Sequence, residues 1–403
     1  MKITLEQNVF DAAIERIEWL FDEFPHVVVS FSGGKDSTAT LEMALIVARQ
    51  KKRLPLKVCF LDQEAEWQGV ADYVQRVMQR SEVDPFWFQT PLFLPNSVSS
   101  ESRFLMAWEP DGQWMRDKNE IALKDNYEFI DINEEDPKTG YWYRYFGRAL
   151  EIMVESEPCA FLSGVRAEES PNRRAGLTTN ATYKHITYGK VQNKQNNQYT
   201  FYPLYDWSYT DIWKSIHSNE WDYCKVYDEF YRYGIAPMKM RISNLHHETA
   251  VDQLFYLQEI EPQTWDALQR RLSGINQARQ FTRSEMFKVK ELPYMFRDWK
   301  EYRDYLIDNL LAEKYRYSFK SKFQDMDNKF KHMDKIEEMY KEQVFSVLSN
   351  DYEFVKISNF LGRPQTINFL KFMRGKKIDW TRPERDLKYI KKAYRGRQVN
   401  VAG

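Results

Sequence analysis

Cysteine is scarce in this chain, and its placement removes several chemistries together. Cys59, Cys159 and Cys224 are spread over 403 residues, with no CxxC pair and no Cys/His cluster at zinc spacing. No disulfide scaffold, no structural zinc and no ordinary iron–sulfur cluster is therefore expected. Long apolar runs are missing too, since no segment approaches the roughly 20 residues that span a bilayer. The opening residues, MKITLEQNVFDAAIERIEWLF, carry acids where a signal peptide needs an apolar block. The expectation is a cytoplasmic protein with no membrane partner. Net charge is nearly absent as well, at −1, but that average hides an uneven distribution. From Arg363 to Arg397, twelve Lys or Arg stand against Asp379, Glu384 and Asp386, leaving +9. Interleaved with Phe, Trp and Tyr, this 363–397 tail suits phosphate contacts and occasional base stacking on a nucleic acid, while its ordinary reading is a solvated helical surface or the docking face for an acidic partner.

What is present is ordinary for a globular chain: 43% hydrophobic and 29% charged, with a high aromatic share of 16%. At roughly 100 to 200 residues per domain, the length allows two or three. Phe10, Ala13, Ile14, Ile17, Leu20, Phe21 and Phe24 recur at helical steps up to Pro25. VVVSF, Val27 to Phe31, is β-branched and apolar on both parities, as in a strand buried on both faces. A helix then a second unit follow, with LKVCFLD at 56–62 as strand and Trp67, Val70, Val74 and Val77 as the next apolar stripe. PFWFQ at 85–89 and Cys159 to Ser163 add strands. This alternation predicts an α/β fold with a doubly wound, mostly parallel sheet.

Between Pro91 and Tyr145 the pattern weakens, and residues 91–145 read as an insertion. YPLYDWSYTDIWKSI joins an extended piece to a helix whose first turn holds Thr210 and Asp211. Beyond about residue 282 the chain is polar, aromatic and helical, with FKSKFQDMDNKFKHMDKIEEMYKEQ as its most charged helix. The expected division is a domain over 1–281 and a helical, basic region over 282–403.

SGGKDS, Ser32 to Ser37, sits between the first strand and its helix. Unpaired amides and the positive end of the dipole gather at a helix N-terminus, and glycines let a phosphate approach that backbone. Lys35 adds a mobile cation, Ser32 and Ser37 add hydroxyls, and Asp36 can position Mg2+. The order of residues matches neither GxxxxGK[ST] nor GxGxxG. Asp62 closes the second strand, where it either holds Mg2+ or a ribose hydroxyl or simply solvates a strand end; Glu64 and Glu66 are weaker candidates. In GVRAEESPNRR, Gly164 lets the chain turn, and Arg166, Arg173 and Arg174 converge on one loop, as an anion site or as a salt-bridged surface with Glu168 and Glu169.

These stretches resemble a known family. SFSGGKDS, Ser30 to Ser37, is similar to the pyrophosphate-binding PP-loop of the N-type ATP pyrophosphatases, with their adenine nucleotide alpha hydrolase-like fold. LDQEAEW, GVRAEESPNRR and YPLYDWSYTDIW narrow the likeness to the phosphoadenosine phosphosulfate (PAPS) reductase-like branch, over about residues 20 to 245. The resemblance implies that Ser30, Ser32, Gly33, Gly34, Lys35, Asp36, Ser37, Asp62 and Gly164 line a nucleotide site. It places Arg166, Glu169, Ser170 and Arg173 toward the nucleotide or its anionic substituent, and Arg241 toward the triphosphate or second substrate. Lys35, Asp36 and Arg166 take the catalytic roles, with Asp36 and Asp62 as Mg2+ ligands and ATP as the nucleotide. YDEFYRYGIAPMKMRIS and EPQTWDALQRRLSGIN resemble the subgroup named after immunoglobulin-binding regulator A, which implies a ParB/sulfiredoxin-like partner.

The family pattern breaks at one place. PAPS reductases proper carry a C-terminal Glu-Cys-Gly-Leu-His segment whose thiolate attacks sulfur, whereas no cysteine follows Cys224 here. Thiol-based PAPS reduction is therefore not expected, and Cys224 reads as a small buried residue. What the resemblance leaves is ATP held by its pyrophosphate while a nucleophile takes AMP. The acceptor could be sulfate, a carboxylate or carbonyl, or a nucleic-acid base. A nucleotide-sensing regulator working with the ParB-like partner is the alternative. Trp207, Ile212 and Trp213 read as packing, and the histidines show no metal-ligand pattern.

Overall fold

Three consecutive valines make the centre of the fold. Val27, Val28 and Val29 of β1 (His26–Ser30) are all buried, because a central parallel strand is covered on both faces. The computed structural model describes residues 6–98, 104–123, 142–178, 183–184, 186, 188–279, 291–333, 336–352 and 354–361. Two compact units divide the chain, Met1–Gln280 and Phe281–Gly403.

In the first unit, α1 (Val9–Glu23) is capped by Asn8, whose side chain accepts from the Asp11 amide at 2.9 Å, and buries Ala13, Ile17, Leu20 and Phe21. After β1 comes α2 (Lys35–Gln50), packed on α1 and sunk so far that Leu41, Met43, Ala44, Leu45, Val47 and Ala48 have no exposed surface. The chain continues through β2 (Leu56–Leu61), α3 (Gln68–Met78), β3 (Val83–Phe88), β4 (Leu92–Pro95), β5 (Phe104–Ala107), α4 (Trp142–Val154), β6 (Cys159–Leu162) and α5 (Pro171–Thr178). Then follow β7 (Gly189–Asn193), β8 (Gln198–Phe201), α6 (Tyr209–Ser218) and α7 (Val226–Arg232).

The main sheet has the order β3-β2-β1-β6-β8-β7, parallel throughout except for the antiparallel edge pair β7 and β8. This is the expected doubly wound α/β fold. Winding runs outward from β1 through β2 to β3 and resumes on the other side at β6. The reversal leaves a crevice beyond the carboxyl ends of β1 and β6, where open α/β sheets take ligands.

Two local features fill in what the sequence left open. Within 91–145 the chain forms the antiparallel pair β4 and β5 and, from Trp142, helix α4; residues 99–103 and 124–141 lie outside the described ones. Helix α6, with Thr210 and Asp211 in its first turn as expected, is capped by Ser208: the Ser208 hydroxyl accepts from the Asp211 amide while the Asp211 carboxylate accepts from the Ser208 amide.

The second unit holds helices Trp299–Asn309, Glu313–Phe330, Ile336–Leu348 and Val355–Leu361. The charged stretch read as one helix is two. Glu313–Phe330 buries Phe319, Phe323, Met326 and Phe330 at steps of four, three and four. The buried Arg303 guanidinium donates to Asp327 at 2.9 Å and to Gln343 at 2.6 Å. The basic tail 363–397 lies outside the described residues. Among the described residues no helix is long and apolar enough to cross a membrane.

Candidate functional site

At the end of β1 the Phe31 amide still donates to the Cys59 carbonyl at 2.8 Å, after which the chain turns through Ser32, Gly33 and Gly34 into α2. Gly33 has φ +71°, which favours glycine, and a Cβ there would stand 2.9 Å from a Val70 methyl. Gly34 is the N-cap of α2, and with no side chain it leaves the helix amides uncapped locally. The two serines fix the turn from within. Ser37 Oγ accepts from the Ser32 amide at 3.2 Å and donates to the Gly34 carbonyl at 2.9 Å, and the two hydroxyls lie 3.1 Å apart.

Gly164, just past β6, brings the second loop onto this turn. A Cβ at Gly164 would lie 2.7 Å from the Asp36 carbonyl and 2.9 Å from the Ser37 nitrogen, so only glycine permits this approach. The approach delivers Arg166, which is 3% exposed and donates from Nε to Asp36 Oδ1 and from Nη1 to the Trp207 carbonyl at 3.3 Å. Asp36 Oδ2 lies 2.9 Å from Lys35 Nζ. Lys35, Asp36 and Arg166 thus form one cluster over the first turn of α2, Asp36 and Arg166 lying 130 residues apart in the chain.

Lys35 differs from its expectation as a mobile cation. It is 6% exposed, and its ammonium also donates to the Met240 carbonyl at 3.3 Å and lies 5.6 Å from the Tyr227 ring centroid. The Lys35 amide is also engaged, donating to the Tyr227 hydroxyl at 3.1 Å. Tyr227, on α7, is the residue that sequence reasoning missed. No local spacing relates it to the loop, and only the fold brings it there. Burial pushes its phenol up, so it stays a neutral hydroxyl.

The other expected residues divide. Glu169 Oε1 accepts from the Arg166 amide at 2.8 Å, its Oε2 lies 3.3 Å from Arg173 Nε, and Ser170 Oγ accepts from the Arg173 amide at 3.2 Å. These three hold the loop in shape around Arg166. Arg241 is exposed and directly follows Met240. Ser30 ends β1 in register with Cys59.

Asp62 is a correction. It has no exposed surface, and four donors fill its carboxylate: the Glu64 amide and Arg116 Nη2 at 2.9 and 2.6 Å, and Trp87 Nε1 and Gln89 Nε2 at 2.9 Å each. It ties the loop after β2 to distant segments and is not open to a ribose or a cation. Glu64, also unexposed, pairs with Arg271 Nε at 2.7 Å. Glu66 is 5% exposed, and burial, then the charge of Asp62, pushes its carboxyl up to about 8.

A protein-held Mg2+ does not fit these side chains. Both Asp36 oxygens face cations, Asp62 is saturated, and among the described residues no group of three His, Cys, Asp or Glu is placed to hold a metal. The cysteines are buried. Burial pushes the Cys159 and Cys224 thiols up to about 12, and Cys224 donates to the Gly69 carbonyl at 3.5 Å.

Residues 26–234 match the family model described as the phosphoadenosine phosphosulfate reductase domain, and residues 234–380 match a domain of unknown function, DUF3440. An uncharacterized Escherichia coli protein, YbdN, is 30% identical over 332 residues, covering 78% of this chain and 79% of that one. Among solved structures, PAPS reductase from Candida auris is 15% identical with a TM-score of 0.34, covering 61% of this chain and 98% of that one. FMN adenylyltransferase from Candida glabrata is 14% identical with the same score, covering 56% of this chain and 62% of that one. The match spans less than two thirds of the adenylyltransferase's length.

Proposed function

The chain belongs to the phosphoadenosine phosphosulfate reductase domain family, and from that premise we propose that it binds ATP on SGGKDS and transfers AMP to an acceptor. The carrying observation is the junction at Gly164: the turn at Gly33 and Gly34 aims a helix N-terminus at the crevice, and Lys35 and Arg166 are held over that same turn. The terminal phosphates of ATP lie against the Gly34 turn, where backbone amides and the Lys35 ammonium meet their charge. An acceptor oxygen or nitrogen attacks the α-phosphorus and forms a new bond to it, any proton on the attacking atom passing to solvent. The bond from that phosphorus to the α,β-bridging oxygen breaks, and pyrophosphate leaves with its electron pair. Arg166 and Lys35 stabilise charge on the oxygens as it develops, so the contribution is positioning and electrostatics. For phosphate to reach the turn, Tyr227 gives up the Lys35 amide and Asp36 yields part of its hold on the two cations. No step is assigned to a protein-held metal, because Asp36 and Asp62 do not fit one.

Thiol chemistry has no support in this chain, whose last cysteine, Cys224, is buried with its thiol raised. Pyrophosphate release from labelled ATP tests the reading. Turnover in the intact chain, lost in Lys35→Ala, supports it; saturable ATP binding with no turnover under any acceptor tried contradicts it. That second outcome fits a nucleotide sensor, a reading favoured by the Tyr227 contact, which closes the turn until a ligand opens it. The finer likeness to the immunoglobulin-binding regulator A subgroup belongs with that reading, since a ParB-like partner would receive the signal. The +9 charge of residues 363–397 supports nucleic acid as a partner in either case.

A further inference from the structure

Beside the start of α2 lies a cavity of about 410 Å3, within the range of small-molecule sites. It is walled by α6, α7 and the segment that follows them, and sequence reasoning assigned its central residue, Trp213, to packing. Trp213 stands 5.6 Å from Tyr223 and 5.2 Å from Tyr227, both rings packed edge-to-face at 85° to the indole, and all three side chains line the cavity. Tyr231, 68% exposed, stands at its mouth, and Met240 lines it too. The indole N–H of Trp213 is buried and, among the described residues, has no acceptor, which is rare for a buried donor. Among the described residues, Asp228 is the one charged side chain in the lining; its Oδ1 accepts from the Tyr223 hydroxyl at 2.7 Å, which leaves Oδ2 as an acceptor.

We propose that this cavity binds the planar nitrogen heterocycle of the acceptor, a nucleobase-like ring read at its edge by Trp213 and Asp228. The proposal rests on the AMP-transfer reading for the word acceptor. The lining argues for the ring class directly. With an acid and, among the described residues, no cation in its wall, the cavity rejects sulfate and simple carboxylates. Flat aromatic walls favour stacking, while one donor and one acceptor match the edge of an amino-substituted base. Tyr227 separates the cavity from the phosphate turn, because its ring lines the cavity and its hydroxyl takes the Lys35 amide. A ring in the cavity and ATP on the turn are therefore two molecules, one on each side of Tyr227. Met240 reinforces this wall, lining the cavity while its carbonyl takes the Lys35 ammonium at 3.3 Å.

The test is saturation-transfer NMR on the full chain with free cytidine, adenosine, guanosine and uridine, each with and without saturating ATP, and with 5,6-dihydrouridine as the non-planar control. Transfer to cytidine or adenosine that persists in ATP, with dihydrouridine silent, is the expected result. Trp213→Phe, which removes the N–H, then weakens binding about 5- to 10-fold, the effect of losing one hydrogen bond. Tyr231→Ala weakens binding with little effect on folding, since that ring is largely exposed. The assignment is overturned if no nucleoside shows transfer, if both variants bind as the wild type does, or if ATP displaces the nucleoside. Calorimetry with ATP on the same samples keeps the two readings apart: a chain that binds ATP and no nucleoside loses only the cavity assignment.

Discussion

The hydroxyl of Tyr227 lies 3.1 Å from the backbone nitrogen of Lys35 and so occupies the first amide of the helix that follows SGGKDS. A phosphate bound at this turn competes with that hydroxyl. Tyr227→Phe removes the competitor and leaves the ring in place. A net hydrogen bond contributes about 0.5–1.5 kcal/mol, so ATP affinity rises about 2- to 10-fold. Calorimetric titration checks this; weaker binding in the Phe variant would mean that the hydroxyl contacts the nucleotide instead of shielding the turn.

Gly164 sets a second expectation. Its missing Cβ faces the backbone of Asp36 and Ser37, which cannot swing aside as a side chain would. Gly164→Ala therefore separates the β6 loop from α2, costing about 1–3 kcal/mol of stability by overpacking. Arg166 leaves Asp36 as a consequence, and pyrophosphate release falls by more than the loss of folded protein explains. Thermal denaturation and turnover measured side by side distinguish the two effects.

Glu66 gives the chain a pH dependence of known sign. Burial, then Asp62, raises its folded value from an ordinary 4.5 to about 8. Between those values the folded state holds a proton that the unfolded chain has lost, so stability falls as pH rises across the window, by up to about 1.4 kcal/mol per pH unit. Below the window there is no penalty, and above it the penalty is constant. Glu66→Gln removes this contribution: its melting temperature is close to that of the wild type near pH 4.5 and exceeds it near pH 8.5. Parallel curves for the two proteins would contradict this assignment.

The cysteines bear on the class of chemistry. Cys224 is buried, raised to about 12, and bonded to Gly69. Cys224→Ala retains pyrophosphate release, and an aromatic disulfide reagent labels the native chain only as fast as it unfolds. Rapid stoichiometric labelling without unfolding would reopen a thiol mechanism.

How far the sequence could be read follows from the range of each interaction. VVVSF announced itself as a central strand because burial on both faces leaves a continuous apolar run, and CAFL was legible as a further strand. The Gly33–Gly34 turn was legible because a left-handed residue before a helix start needs a particular local chemistry. Strand β7, GKVQN, was not, since an edge strand facing solvent has no apolar alternation to detect. Ser208 was passed over as the cap of α6 although its partner Asp211 was singled out. The largest misses lie at long range. Asp62 looked like a ligand from its place at a strand end, whereas Arg116, 54 residues on, fills it. Tyr227 closes on Lys35 across 192 residues, and no spacing rule encodes such a contact.

The most direct test of the account is calorimetric titration of ATP into the intact chain and into its Lys35→Ala and Gly34→Ala variants. A Cβ at Gly34 meets Ser32 Oγ at 3.4 Å and the Tyr227 hydroxyl at 3.6 Å, ordinary contacts, so that variant folds yet carries a methyl where phosphate must approach. The account predicts saturable binding by the wild type, weakened at least about tenfold in both variants, as the loss of one charge-assisted hydrogen bond implies. No binding by the wild type, or equal affinity in all three proteins, would contradict it.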